Sequence, residues 1–236
     1  MASLVVRNAE KTVRGIKVLD GISLACHPGT VTGLCGANGS GKTMLMRAMI
    51  GLMYLDKGSV ECGGLKLGKD IDFLPSVGLL IENPAFLDGY TAVENLLYVA
   101  RLRGGVSQDE AKRCVAYVGL DPADRRRFRQ FSLGMKQRLG IAAAILGDPD
   151  VVVLDEPTNA LDEMGCDLLR DIARNIRSRG AIGVIASHDA GMLKQVSDEI
   201  VRLRDGKVIQ RMARRPPECA APQPTSSLGA GTGGES

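Results

Sequence analysis

The spacing of apolar residues divides the chain into stretches of different period. From Leu4 to Gly36, short runs of apolar and β-branched residues alternate with turn punctuation at Arg14-Gly15 and His27-Pro28-Gly29, which predicts an antiparallel sheet. The last run, Val31 to Cys35, is apolar enough to be a buried strand, and Met44 to Leu52 reads as a helix after it. Gly58 to Leu67, with its Gly63-Gly64 pair, predicts one more hairpin, and Val77 to Ile81 a buried strand. The period then becomes helical. Thr91 with Glu94 and Ser107 with Glu110 form capping boxes, and a helical block spans about 88 to 146, its third and last helix starting near Ser132. Two α/β repeats follow: strand Val151 to Leu154, helix Asp162 to Arg179, strand Ala181 to Ala186 and helix Ala190 to Val196. Glu199 to Met212 alternates around Asp205-Gly206, a two-residue hairpin signal. Residues 213–236, rich in Pro, Ser and Gly, cannot bury enough surface to order themselves and are expected to form a disordered tail.

Between the buried strand and its helix stands a stretch with chemistry of its own. Gly36, Ala37, Asn38, Gly39, Ser40, Gly41, Lys42 and Thr43 fit the phosphate-binding pattern G-x-x-x-x-G-K-[ST] without a gap, and Met44 opens the helix. Glycines let the backbone turn tightly, so that successive N–H groups face an anion at a helix N-terminus. Lys42 adds a point charge for the outer phosphates, and the Thr43 hydroxyl suits the magnesium that accompanies them. A Gly-rich surface turn would leave the placement of Lys42-Thr43 unexplained.

Composition removes several alternatives. A chain of 236 residues with 44% hydrophobic content has ample core and needs no staples. Thirty basic and 27 acidic residues nearly balance, which argues for neither a nucleic-acid nor a lipid surface as partner. With no Trp and 3% aromatics, stacking platforms for single-stranded nucleic acid are missing. Six scattered cysteines without a C-x-x-C pair suit a reducing compartment. No run of apolar residues is long enough for a signal sequence or a membrane span, so a soluble chain is expected.

Two further stretches carry polar chemistry. The all-apolar strand from Val151 ends in Asp155 and Glu156, where parallel sheets place ligand-binding groups. Asp155 is placed to take magnesium with Thr43, and Glu156 to activate water. Phe131-Ser132-Leu133-Gly134-Met135-Lys136-Gln137-Arg138 opens a helix with Ser132 as N-cap and with Gly134 letting an anion approach. Taken alone, it is an ordinary capped helix start.

The order of the phosphate loop, the Ser132 motif, Asp155-Glu156-Pro-Thr-Asn-Ala-Leu-Asp162 and Ala186-Ser187-His188-Asp189 resembles the ATP-binding cassette (ABC) ATPases, over residues 4 to about 211. The resemblance implies an α/β fold: a RecA-like P-loop NTPase core with an N-terminal antiparallel β subdomain and an inserted α-helical subdomain. Residues 1–87 would hold the β subdomain and first part of the core, 88–146 the helical subdomain, 147–212 the rest of the core and 213–236 the tail. It further implies ATP and Mg2+ as ligands, with Asp155 holding magnesium, Glu156 polarising the attacking water and His188 contacting the γ-phosphate. In the family two cassettes pair head to tail, so Ser132 and Gly134 would act on the nucleotide of a partner, and Asp162 would link the two sites. The other partner would be an integral membrane permease, with the chain peripheral on the cytoplasmic face of the cell membrane.

Two departures from the family pattern stand out. Glu82 occupies the place of a Gln that usually touches magnesium; a carboxylate there still binds a hard cation, which makes Glu82 a further candidate metal ligand. It also brings extra negative charge close to phosphate oxygens, and the exporter cassettes that this chain resembles often carry Glu here. Val13 stands where an aromatic usually stacks on adenine. The run Ile81 to Leu96 is similar to bacterial bacitracin-type exporter cassettes, where this segment receives a helix of the permease. Phe86 and Leu87 are therefore either docking residues or core. A soluble mechanical ATPase would carry long heptad runs, which are lacking between Lys42 and Asp155. A nucleotide-sensing subunit with weak hydrolysis remains open from Glu82 and Val13.

Overall fold

The computed structural model describes residues 2–82, 84–102, 105–159 and 163–213. Strands β1 (Leu4–Val13) and β2 (Ile16–Cys26) form the predicted first hairpin. Arg14 and Gly15 both adopt positive φ, 50° and 80°, a turn whose twist matches that of the strands it joins. β3 (Thr30–Cys35) leaves this sheet, contrary to a single antiparallel sheet running to Gly36. Its side chains are buried on both faces from Val31 to Cys35, so it needs cover on both sides, which a central place in a second sheet supplies.

Helix α1 (Lys42–Met49) follows the phosphate loop and stops before the expected Leu52. Gly51 turns left-handed there (φ 90°), and a Cβ on it would lie 2.1 Å from the Asp72 carbonyl oxygen. The Gly63-Gly64 turn joins β4 (Lys57–Cys62) to the short β5 (Leu65–Lys66), completing a four-stranded sheet in the order β2-β1-β4-β5.

Next come β6 (Val77–Leu80) and the helical block: α2 (Ala92–Leu102), α3 (Gln108–Tyr117) and α4 (Leu133–Ile145), with a short 3₁₀ turn at Phe128–Gln130. Capping is as the sequence predicts. Thr91 and Glu94 bond reciprocally, the Ser107 hydroxyl accepts from the Glu110 N–H, and the Ser132 hydroxyl accepts from the Met135 N–H at 3.2 Å. The chain then alternates β7 (Val151–Asp155), α5 (Glu163–Ser178), β8 (Ile182–Ser187), α6 (Ala190–Val196), β9 (Glu199–Arg204) and β10 (Lys207–Ala213). Beyond Ala213 the expected tail lies outside the described residues. Cys26, Cys35, Cys62, Cys114 and Cys166 are free thiols. Among the described residues no helix is long and apolar enough to cross a membrane.

The second sheet runs β10-β9-β3-β8-β7-β6, parallel except for the antiparallel β9–β10 pair. Successive side chains of β7 point to opposite faces. Val151 and Val153 join Leu45, Met46 and Met49 of α1 and the antiparallel sheet in one core. Val152 and Leu154 join Leu139 of α4, Leu169 and Ile172 of α5 and Leu193 of α6 in the other. α4 lies so close to β6 that a Cβ on Gly78 would sit 1.6 Å from the Ala144 carbonyl oxygen. Gly78→Ala should therefore lower stability by about 3 kcal/mol or more, read as a fall in the urea midpoint; an unchanged midpoint would contradict this packing.

Candidate active site

Strands β3, β8 and β7 are adjacent and end level, with Cys35 opposite Ser187 and Asp155 opposite Ala186. The segments that leave them, Gly36 to Thr43, Ser187-His188 and Glu156, emerge side by side at the carboxyl edge of the sheet. A cavity of about 440 Å³ opens there, lined by the loop from Asn38 to Met44 with Glu82, Asp155 and Glu156, and also by Val18, Gln137 and Asn159.

The loop needs its glycines for two different reasons. A Cβ on Gly36 would lie 2.5 Å from both the Leu203 carbonyl oxygen and the Ser40 hydroxyl. Gly41 takes φ 103° directly before α1, a backbone conformation that side chains oppose. No side chain caps α1, so its first-turn N–H groups are left for an anion in the cavity. Buried Lys42 folds back over the loop, its Nζ donating to the Gly36 carbonyl at 2.7 Å and the Ala37 carbonyl at 3.3 Å.

Asp155 is buried and its Oδ2 accepts from the Thr43 hydroxyl at 2.5 Å, while its Oδ1 is buried without a hydrogen-bond partner. Burial pushes the Asp155 carboxyl above the usual range; the Thr43 bond opposes that shift, and the neighbouring Glu156 charge reinforces it. An orphaned carboxylate oxygen beside a hydroxyl at the phosphate loop fits a hard divalent cation such as magnesium. Among the described residues no group of three His, Cys, Asp or Glu forms a cage.

Glu156 stands in a left-handed conformation (φ 46°) and is held on both sides. Its N–H donates to the Ala186 carbonyl at 2.9 Å, and its own carbonyl accepts from Gln137 Nε2 at 3.2 Å. Its Oε2 lies 2.9 Å from His188 Nδ1, and its Oε1 is 3.5 Å from Lys42 Nζ.

Several expected residues are placed elsewhere. Ser132 and Gly134 start α4 but do not line the cavity. Val13 ends β1 opposite Ile16, and Val18 of β2, not Val13, lines the cavity. Glu82 reaches the rim of the cavity, bonded by Arg47. Asp162 lies outside the described residues. The two docking candidates part company: Phe86 packs edge-on against Phe128, with centroids 5.3 Å apart, whereas Leu87 is 38% exposed.

Two residues with no individual role in the sequence reading tie backbone in place, Gln137 at the site and Asn95 in the segment beyond Glu82. Gln137 is 6% exposed, and its amide bridges α4 to the carbonyls of Glu156 and Pro157, at 3.2 and 3.3 Å. Asn95 is buried in α2, where its amide binds Leu87 N–H and the carbonyls of Leu87, Tyr90 and Thr91. The signal for both was the same: an amide within an apolar helical pattern.

Residues 19–159 match the family model described as "ABC transporter". The chain is 41% identical over 203 residues to the uncharacterized ABC transporter ATP-binding protein YybJ of Bacillus subtilis, covering 86% of this chain and 93% of that one. It is 37% identical to the bacitracin transport ATP-binding protein BcrA of Enterococcus faecalis, covering 87% of this chain and 67% of the relative. Its fold matches the dimeric ATP-binding cassette MJ0796, solved in a post-hydrolysis state with ADP and Pi, with a TM-score of 0.82 at 24% identity, over 90% of this chain and 99% of that one.

The Gln137 bridge leads to a prediction. Gln137→Leu should keep the fold but let the Glu156 turn shift, lowering ATP turnover about 10- to 100-fold with little change in nucleotide affinity. Wild-type turnover in the variant would show that the bridge is dispensable. The state of Asp155 leads to another. A pKa raised in the fold means that ionisation of Asp155 costs stability as pH rises through the window between its unfolded and folded values. In nucleotide-free, magnesium-free buffer at pH 7, Asp155→Asn should raise the melting temperature, and the gain should shrink as pH falls through that window. A lowered melting temperature would contradict it.

Proposed function

This chain belongs to the ABC transporter family, and from that premise we propose that it is the ATP-hydrolysing subunit of a bacterial exporter, pairing with a second cassette and driving a separate membrane permease from the cytoplasmic side. One observation carries the reading: Ser132 at the start of α4 is exposed, and neither it nor Gly134 lines the chain's own cavity, so on this reading one wall of the phosphate site is left to another chain. A second chain, packed head to tail, supplies the missing wall with Ser132 and Gly134. Relatives named for bacitracin and lantibiotic transport support a role in transport, and the likeness of the run Ile81 to Leu96 to exporter cassettes favours export.

The triphosphate lies in the loop, and Lys42 exchanges its bonds with Gly36 and Ala37 for phosphate oxygens. Thr43 and Asp155 hold magnesium, which when bound neutralises phosphate charge. Glu156 orients the attacking water and takes its proton, as water bonds to the γ-phosphorus and the bond to the β–γ bridging oxygen breaks, leaving ADP and phosphate. His188, beside Glu156 Oε2, holds that carboxylate and meets the γ-phosphate. Positioning and charge stabilisation supply most of the acceleration.

Docking on the permease falls to the segment after β6. Asn95 pins residues 87 to 91, and Leu87 and Tyr90 remain 38% and 45% exposed on that rigid segment. Glu156→Gln should reduce ATP turnover about 100-fold or more while nucleotide binding persists. Turnover near wild type in that variant, or turnover per chain independent of concentration in a verified monomer, would overturn the mechanism or the pairing respectively.

A further inference from the structure

Glu82 brings a third carboxylate to a cavity that must accept a polyanion. It follows β6 in a left-handed conformation (φ 61°), which sets its side chain on the rim with Asp155 and Glu156 lining the same cavity. Asp155 is tied by the Thr43 hydroxyl, and Glu156 is faced by Lys42 and His188. Glu82 has a partner of its own: Arg47 Nη2 donates to its Oε1 at 2.6 Å.

The placement of that arginine is systematic. Thr43 and Arg47 are four residues apart on α1 and therefore share one stripe of the helix, Thr43 reaching Asp155 and Arg47 reaching Glu82. Both members of the pair are substantially solvated, with side chains 33% and 62% exposed, so the pair adds little to folding stability. Its value lies in where its charges stand. A carboxylate at this place repels the nucleotide phosphates unless a cation offsets it.

We propose that Arg47 is the counter-charge that allows Glu82 to stand at the rim of the nucleotide cavity, so that it sets nucleotide affinity through Glu82. Arg47 is then a positioning residue, outside the reacting atoms. The idea rests on the reading of this cavity as the nucleotide site, and it makes affinity depend on the pair rather than on either charge alone.

A double-mutant cycle read by equilibrium ATP binding in magnesium-free buffer tests it. Arg47→Ala should weaken binding about 5- to 10-fold in the otherwise unchanged chain, yet less than about two-fold in a Glu82→Gln background. Arg47→Lys should recover most of the loss, and added salt should narrow the difference between Arg47→Ala and the unchanged chain. Equal losses in both backgrounds would overturn the inference, because Arg47 would then act on the nucleotide or the fold independently of Glu82. No loss in either background would overturn it as well. If the unchanged chain binds no ATP, the site assignment itself fails and takes this inference with it, which distinguishes the two failures.

Discussion

The two-sided burial of β3, β8 and β7 is the constraint on which the rest of the structure depends. A strand apolar on both faces has to be covered on both, and here α1 with the antiparallel sheet takes one side while α4, α5 and α6 take the other. That sandwich leaves only the strand ends open to polar groups. Because the three strands end level, the phosphate loop, the two carboxylates and His188 are delivered to one place by backbone register alone. The site is an edge effect of the core.

Holding the site then takes polar bonds between layers. The Glu156 turn is strained, and it stays in place because Ala186 and Gln137 grip it from two different elements. Gln137 belongs to the same helix whose start carries Ser132, so the Glu156 turn and that exposed helix start are tied to one element. Asn95 does the same for residues 87 to 91, the stretch that carries the exposed Leu87. Buried amides suit this work because they satisfy backbone donors and acceptors without bringing a charge into the core.

Charge is managed more locally. The cavity collects three carboxylates, and each has an answering group: a hydroxyl for Asp155, Lys42 and His188 for Glu156, Arg47 for Glu82. Among the described residues two carboxylate oxygens are buried without a hydrogen-bond partner, Asp155 Oδ1 and Glu156 Oε1; Lys42 faces the second at 3.5 Å, whereas the first is left to suit a cation. Thus the pattern of unsatisfied atoms is as informative about the ligand as the pattern of satisfied ones.

The sequence by itself determined what is local. The phosphate loop, the apolar strands, the caps at Thr91, Ser107 and Ser132 and the Asp205-Gly206 turn are set by residues within a few positions of one another, and each forms where its pattern predicts. Asp155 and Glu156 were legible because they end an apolar strand. Only the tertiary structure decided that β3 leaves the first sheet, that Val18 in place of Val13 lines the cavity, that Phe86 is packed while Leu87 is exposed, and that Gln137 and Arg47 answer Glu156 and Glu82. The physical reason is that these partners lie far apart along the chain. Which of them meet depends on how helices and sheets dock, and a periodicity tells which face of an element is buried, but not what it is buried against.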